Sequence, residues 1–156
     1  MNHGLFLPLC PEDLSTVAWI ETRSFEHPWP RRSIAGELAA PQSRAYVMRF
    51  PDHTVRPAVA AYILLRILVD DVHIMKVAVA PACRRAGLAA RLTNKALGEA
   101  RREGCRRAIL EVRASNTAAI RLYARLGFEP IGARKRYYEP GGEDALVMAK
   151  NLEEAQ

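Results

Sequence analysis

No stretch of this chain approaches the roughly 20 consecutive apolar residues of a membrane span, so no membrane partner is expected. The N-terminus, MNHGLFLPLCPEDLS, has a short apolar stretch but neither a basic start nor a small-residue cleavage site. No signal peptide is expected, and the chain is expected in the cytoplasm. Cysteine is scarce: Cys10, Cys83 and Cys105 are odd in number and have no CxxC spacing. That argues against a disulfide framework or a zinc site and favours small buried thiols. No histidine pair has metal-ligand spacing, so no metal is expected, and the isolated His27 and His73 read as loop or surface residues. There is no GxxxxGK phosphate loop and no aromatic RNA-binding signature.

What is present is ordinary in amount. The 156 residues, 49% hydrophobic and 26% charged, suit one soluble domain spanning 1–156 with a real core. A formal net charge of +6 favours anionic partners, such as a phosphate-bearing cofactor, an acidic protein surface or RNA. The excess is nearly all arginine and is scattered, as on a solvated face, so no specific nucleic acid is expected.

The patterning predicts strands at GLFLPL, SRAYVMRF, RPAVAAYILLRI and DVHIMKVAVAP, with PDHTV as the turn between the second and third. PEDLSTVAWIETRSF and RRSIAGELAA read as helices, interrupted by HPWP. A long helix, GLAARLTNKALGEARREG, carries Leu88, Leu92 and Ala96 on its apolar face and closes at Gly104. CRRAILEVRA is a strand, and SNTAAIRLYARLG is a capped helix with Ala119, Leu122 and Leu126 as its apolar stripe. FEPIGARKRYY and DALVMAKNL finish as strands around the turn EPGGE.

The junction between VAVAP and the long helix, CRRAGLAARL, invites a chemical reading. A helix's first turn leaves backbone N–H groups unpaired at the positive end of its dipole, which suits an anion. Arg84 and Arg85 add charge, and Gly87 has no Cβ to keep the backbone from a polyphosphate. The spacing is not the dinucleotide fingerprint, which needs GxGxxG. It is Arg/Gln-x-x-Gly-x-Gly/Ala, written here from Arg84 through Arg85, Ala86, Gly87 and Leu88 to Ala89. On that pattern alone, a phosphate loop and a plain left-handed turn before a helix both stand open.

Residues 110–128 read LEVRASNTAAIRLYARLGF. This resembles the strand-and-helix block of GNAT acetyltransferases, and of RimI-type ribosomal-protein alanine acetyltransferases in particular. RKRYYEPGGEDALVMA resembles the same group's tail and HPWP its PW element, so the resemblance covers about residues 20–150. It implies an α/β fold with a central, mixed but mostly antiparallel sheet of about seven strands, flanked by about four helices and splayed between the fourth and fifth strands. It implies acetyl-CoA as co-substrate in that splay. Val77, Ala78 and Val79 would contact it through backbone, residues 84–90 (Arg84 to Ala90) would hold its pyrophosphate, and Asn116 would reach it from the next helix. Glu111 matches the family's general base and Tyr123 its general acid. The acceptor implied is a protein N-terminus, the N-terminal alanine of a small-subunit ribosomal protein. Lys76 departs from the pattern, since a neutral residue is expected there.

The residues fit that chemistry. An α-amine has a pKa near about 8, against roughly 10.4 for lysine, so a modest base suffices. Glu111 shares a strand face with Ile109 and Arg113, and Ala108, Leu110 and Val112 share the other. A carboxylate in so apolar a strand is unusual, and burial is what turns a carboxylate into a useful base. The plain alternative pairs Glu111 with Arg113 or Arg107 on a wet face. Tyr123 can donate a proton to a leaving thiolate, or can simply be a core tyrosine. The backbone N–H of Val79 suits an oxyanion. Trp29, Tyr137 and Tyr138 are candidates for a wall over the acceptor peptide. On a regular strand the two tyrosines face opposite ways, so at most one would line the site. Two other functions stay open: acetylation of small amines or protein lysines, and a non-catalytic basic module docking on RNA or the ribosome.

Overall fold

The computed structural model describes residues 4–50, 58–139 and 141–153, so the expected turn PDHTV lies outside the described residues. Along the chain run β1 (Leu5–Pro8), α1 (Leu14–Ser24), α2 (Arg31–Ala39), β2 (Ser43–Arg49), β3 (Val59–Leu68) and β4 (Asp71–Val79). Then come α3 (Leu88–Arg102), β5 (Arg107–Arg113), α4 (Thr117–Arg125), β6 (Glu129–Tyr138) and β7 (Glu143–Asn151). The seven strands are hydrogen-bonded in the order β1-β2-β3-β4-β5-β7-β6. β4 and β5 pair in parallel, whereas β1–β2, β2–β3, β5–β7 and β7–β6 pair antiparallel, so the expected mixed, mostly antiparallel sheet with four α-helices is what forms. Among the described residues, no helix is long and apolar enough to cross a membrane.

The chain divides into two compact units, and β4 and α3 each run from one into the other. The first holds Met1–Arg66 and Met75–Ala96. In it β1 pairs antiparallel with β2, and β2 with β3. Every side chain of β3 from Val59 to Leu65 is buried, as in a strand covered on both faces. α1 turns Leu14, Val17, Ile20 and Glu21 inward, and α2 turns Ile34 and Glu37 inward. Glu37 is a buried acid made tolerable by its partners. Arg66 grips it with Nε and Nη2 at 2.7 and 2.6 Å, and Ser43 Oγ donates at 2.5 Å. Arg66 first, with Ser43, holds its carboxyl below the usual range against burial.

The second unit holds Ile67–Ile74 and Leu97–Gln156. β4 pairs with β5 from Asp71↔Arg107 to Ile74↔Leu110, and this parallel ladder ends there although both strands run on. That early end is what a splay requires. β5 pairs antiparallel with β7 along its whole length, and β7 with β6. Along β5, Ala108, Leu110 and Val112 are buried while Ile109, Glu111 and Arg113 are half-buried, the predicted alternation. Leu110 and Met148 lie at the centre of this core, and each contributes about 1.5–3 kcal/mol by burial. β6 is the edge, with every side chain exposed except half-buried Tyr138.

Two expectations about α4 need correction. The helix ends at Arg125, so Leu126 is its C-cap, and the side chain it buries is Tyr123. Ala119, Leu122 and Leu126 are only half-buried. Gly127, at φ +97°, closes the helix, as Gly104 at φ +100° closes α3.

Candidate active site

In the first unit, β4 leads through a 3-10 turn at Pro81–Cys83 to the cationic loop. Arg85 (φ +65°) and Gly87 (φ +76°) are both left-handed. A Cβ on Gly87 would meet nothing within 4 Å, so in the free protein this glycine serves the backbone angle and not a close contact. The first bond of α3 runs from Arg91 N–H to the Gly87 carbonyl at 3.1 Å. Leu88, Ala89 and Ala90 therefore lie in the first turn, where N–H groups have no intrahelical acceptor. Residues 84–87 are exposed. Arg84 is not the free cation its sequence position suggested. Its Nε donates to the Val79 carbonyl at 3.0 Å, and its Nη2 reaches Ser24 Oγ at 3.1 Å and the Arg23 carbonyl at 3.3 Å. It ties the end of β4 to the end of α1. Arg85 and the helix start remain as anion donors.

The same unit contains a cluster that sequence reasoning missed. Glu21 is wholly buried in α1, and its carboxylate accepts from Tyr62 Oη, Lys76 Nζ and, at 2.8 Å, the Trp29 backbone N–H. Lys76 Nζ also lies 4.0 Å from the Phe25 ring centre and 5.0 Å from that of Trp29. Burial and the Glu21 charge push the Tyr62 hydroxyl far above its usual range. Lys76, the odd cation in an apolar strand, is thus the counter-ion of a buried acid. Trp29 is held by Glu21 through its backbone, and not only by its flanking prolines. A signal existed: Glu21 falls at i+4 from Val17 and i+7 from Leu14, on the apolar stripe itself.

In the second unit, Glu111 meets neither of its expected wet-face partners. Arg107 pairs with Asp71, and Arg113 pairs with Glu143. Instead Glu111 Oε1 lies 2.7 Å from His73 Nε2, with the two side chains 6% and 25% exposed. His73 is therefore neither a loop residue nor a free surface one. It stands in β4 opposite Ile109, one same-face step from Glu111. Tyr137 Oη approaches the same oxygen at 3.4 Å.

The two tail tyrosines do not face opposite ways. Their rings stand edge-to-face with centres 5.0 Å apart. The cause is a bulge. Five residues from Arg134 to Tyr138 stand against three from Ala145 to Glu143, and Arg136 turns left-handed at φ +51°. Asp144 Oδ1 pins that turn by accepting from Arg136 N–H at 3.0 Å. Tyr138 also stacks on the Arg113 guanidinium at 4.2 Å, and burial, with Tyr137 and Glu111 nearby, pushes its phenol up to about 12. Burial and the Glu111 charge push Tyr137 up as well.

Tyr123 packs its ring against Phe128, with centres 5.6 Å apart. Its hydroxyl makes no hydrogen bond among the described residues and is not a buried unsatisfied atom. Burial first, then Tyr138, raises it to about 12. Asn116 is the N-cap of α4, its Oδ1 accepting from Ala119 N–H at 3.1 Å, which leaves its amide hydrogens for a ligand. The thiol of Cys83 is buried and pushed up, which is unfavourable for a nucleophile. Among the described residues, no group of three or more His, Cys, Asp or Glu is placed to hold a metal ion.

A sequence model described as the acetyltransferase (GNAT) family matches residues 14–128. A Bacillus subtilis (strain 168) protein is 36% identical over 144 residues, 92% of this chain and 92% of its own length. The Escherichia coli (strain K12) protein named ribosomal protein bS18-alanine N-acetyltransferase is 34% identical over 139 residues, 88% of this chain and 90% of its own. The crystal structure of the ribosomal-protein-S18-alanine N-acetyltransferase from Escherichia coli superposes with a TM-score of 0.85 at 30% identity, covering 100% of this chain and 97% of that one.

Proposed function

Because this chain belongs to the acetyltransferase (GNAT) family, we propose that it acetylates a protein N-terminal amine with acetyl-CoA, the acceptor being the N-terminal alanine of ribosomal protein bS18. The observation that carries this reading is the match to a protein of that name at 34% identity over nine-tenths of both chains. It sets aside a non-catalytic RNA-binding module. It favours a protein N-terminus over small amines and lysines.

The residues support a direct attack. The incoming amine nitrogen bonds to the thioester carbon, Glu111 takes the proton that nitrogen sheds, and the C–S bond breaks to release the thiolate. Glu111 suits the task because it is a nearly buried carboxylate with donors on one oxygen only. The backbone of Val77, Ala78 and Val79 and the residues from Arg84 to Ala90 are assigned to acetyl-CoA, with Asn116 adding its amide. The exposed loop, the left-handed Gly87 and the free first turn of α3 fit a pyrophosphate. Arg84 contributes by tying down the strand end, and Arg85 by its charge. Tyr123 is assigned to the leaving sulfur. A phenol at about 12 gives up its proton reluctantly to a thiolate whose parent thiol lies near about 8.5. Tyr123 is then a hydrogen-bond donor to the departing sulfur, with full transfer completed by solvent. Trp29, Tyr137 and Tyr138 are assigned to the acceptor peptide.

The test is thiol release from acetyl-CoA with a peptide beginning Ala-Arg, followed by mass spectrometry of the product. One acetyl group on the α-amine is expected. Modification of lysine side chains alone, or equal rates with free polyamines, would overturn the acceptor reading.

A further inference from the structure

The relation of Glu111 to His73 is more specific than a chance ion pair. In the parallel ladder His73 stands opposite Ile109, so Glu111 lies one same-face position further along β5. At that diagonal only long or ring side chains meet. The 2.7 Å separation is typical of a donor against a charged carboxylate. Oε1 of Glu111 faces both His73 and Tyr137, while Oε2 accepts no hydrogen bond among the described residues. One oxygen is anchored and the other is left to take a proton.

We propose that His73 is a positioning residue for acetyl transfer: its Nε2–H holds Oε1 of Glu111, so that Oε2 receives the proton of the acceptor amine. The inference rests on the reading of Glu111 as the base. With its proton on Nε2 the ring donates to Oε1 of Glu111 and leaves Oε2 to accept. The other charged or titratable groups around Glu111 are Tyr137 and Tyr138 from β6, and Arg113 on its own strand. Arg113 is already occupied by Glu143 and the Tyr138 ring. The two tyrosines are pushed upward, so they keep their protons through the neutral range, and of the groups facing Oε1 it is His73 that holds it at the shorter distance.

The experiment compares wild type, His73→Gln, His73→Ala and Glu111→Gln with acetyl-CoA and an alanine-starting peptide. Glutamine keeps an N–H donor near the position of Nε2. At about pH 8, His73→Gln should retain kcat within about threefold, while His73→Ala should lose about tenfold or more in kcat with little change in peptide KM. Two results overturn the inference: His73→Ala at wild-type kcat, or His73→Gln no better than His73→Ala. Glu111→Gln at wild-type rates would overturn the base assignment itself. Glu111→Gln inactive with both His73 variants unaffected would overturn the positioning role alone.

Discussion

Replacing Lys76 by methionine removes a charge while keeping most of the stem that packs beside Phe25 and Trp29. The cost follows from what is left behind. Glu21 is wholly buried, and Lys76, only 11% exposed, is its cationic partner. Without it the carboxylate keeps the Tyr62 hydroxyl and the Trp29 N–H but has no opposite charge. Breaking a buried pair from one side costs about 3–5 kcal/mol, a large share of the 5–15 kcal/mol that stabilises a typical domain. For a chain of this size that is roughly 6–20 °C in melting temperature. The double variant Lys76→Met with Glu21→Gln should regain most of the loss, because a neutral amide leaves no uncompensated charge, its oxygen accepting from the Trp29 N–H while its NH2 donates to the Tyr62 oxygen. Urea unfolding followed by tryptophan fluorescence measures these two variants and Glu21→Gln alone. If Lys76→Met costs less than about 1 kcal/mol, or the double variant equals the sum of the singles, Glu21 and Lys76 are not a coupled buried pair. The fold would then gain little from the contact that anchors Trp29.

Two further outcomes follow from the site. Tyr123→Phe keeps the buried ring, so stability should change by less than about 1 kcal/mol at neutral pH while kcat falls about 100-fold. Tyr123 is raised to about 12, so the folded state keeps its proton where the unfolded chain, near about 10, has lost it. Wild-type stability should therefore fall as pH rises from about 10 to 12, and less so in Tyr123→Phe; an activity limb near about pH 9 that is absent in the variant would contradict this. Gly87→Ala meets no steric wall, so its stability loss should be only the left-handed backbone cost of about 1–2 kcal/mol. Calorimetric affinity for acetyl-CoA should weaken by about tenfold or more if a polyphosphate approaches this backbone, and unchanged affinity would detach Gly87 from the cofactor.

The limits of what the sequence makes legible follow from range. The alternation of AILEVRA, the asparagine cap of α4 and the glycines after α3 and α4 are local statements. Each is realised where it was read. The partner of Glu111 is not local. It depends on a parallel register that sets His73 against Ile109, and no side chain near either residue encodes that pairing. The two tyrosines of β6 fail for a related reason: strict alternation assumes an unbroken ladder, whereas Asp144, on the neighbouring strand, holds Arg136 in the turn that breaks it. Lys76 is the instructive middle case. Its charge was visibly out of place among VHIM and VAV, and Glu21 was equally out of place on the stripe of α1. Each oddity, taken alone, reads as a departure from pattern. Two opposite charges on two apolar faces satisfy each other, because neither could be buried without the other. Pairing such misfits by sign before assigning either to the surface would have brought Glu21 and Lys76 together from the sequence.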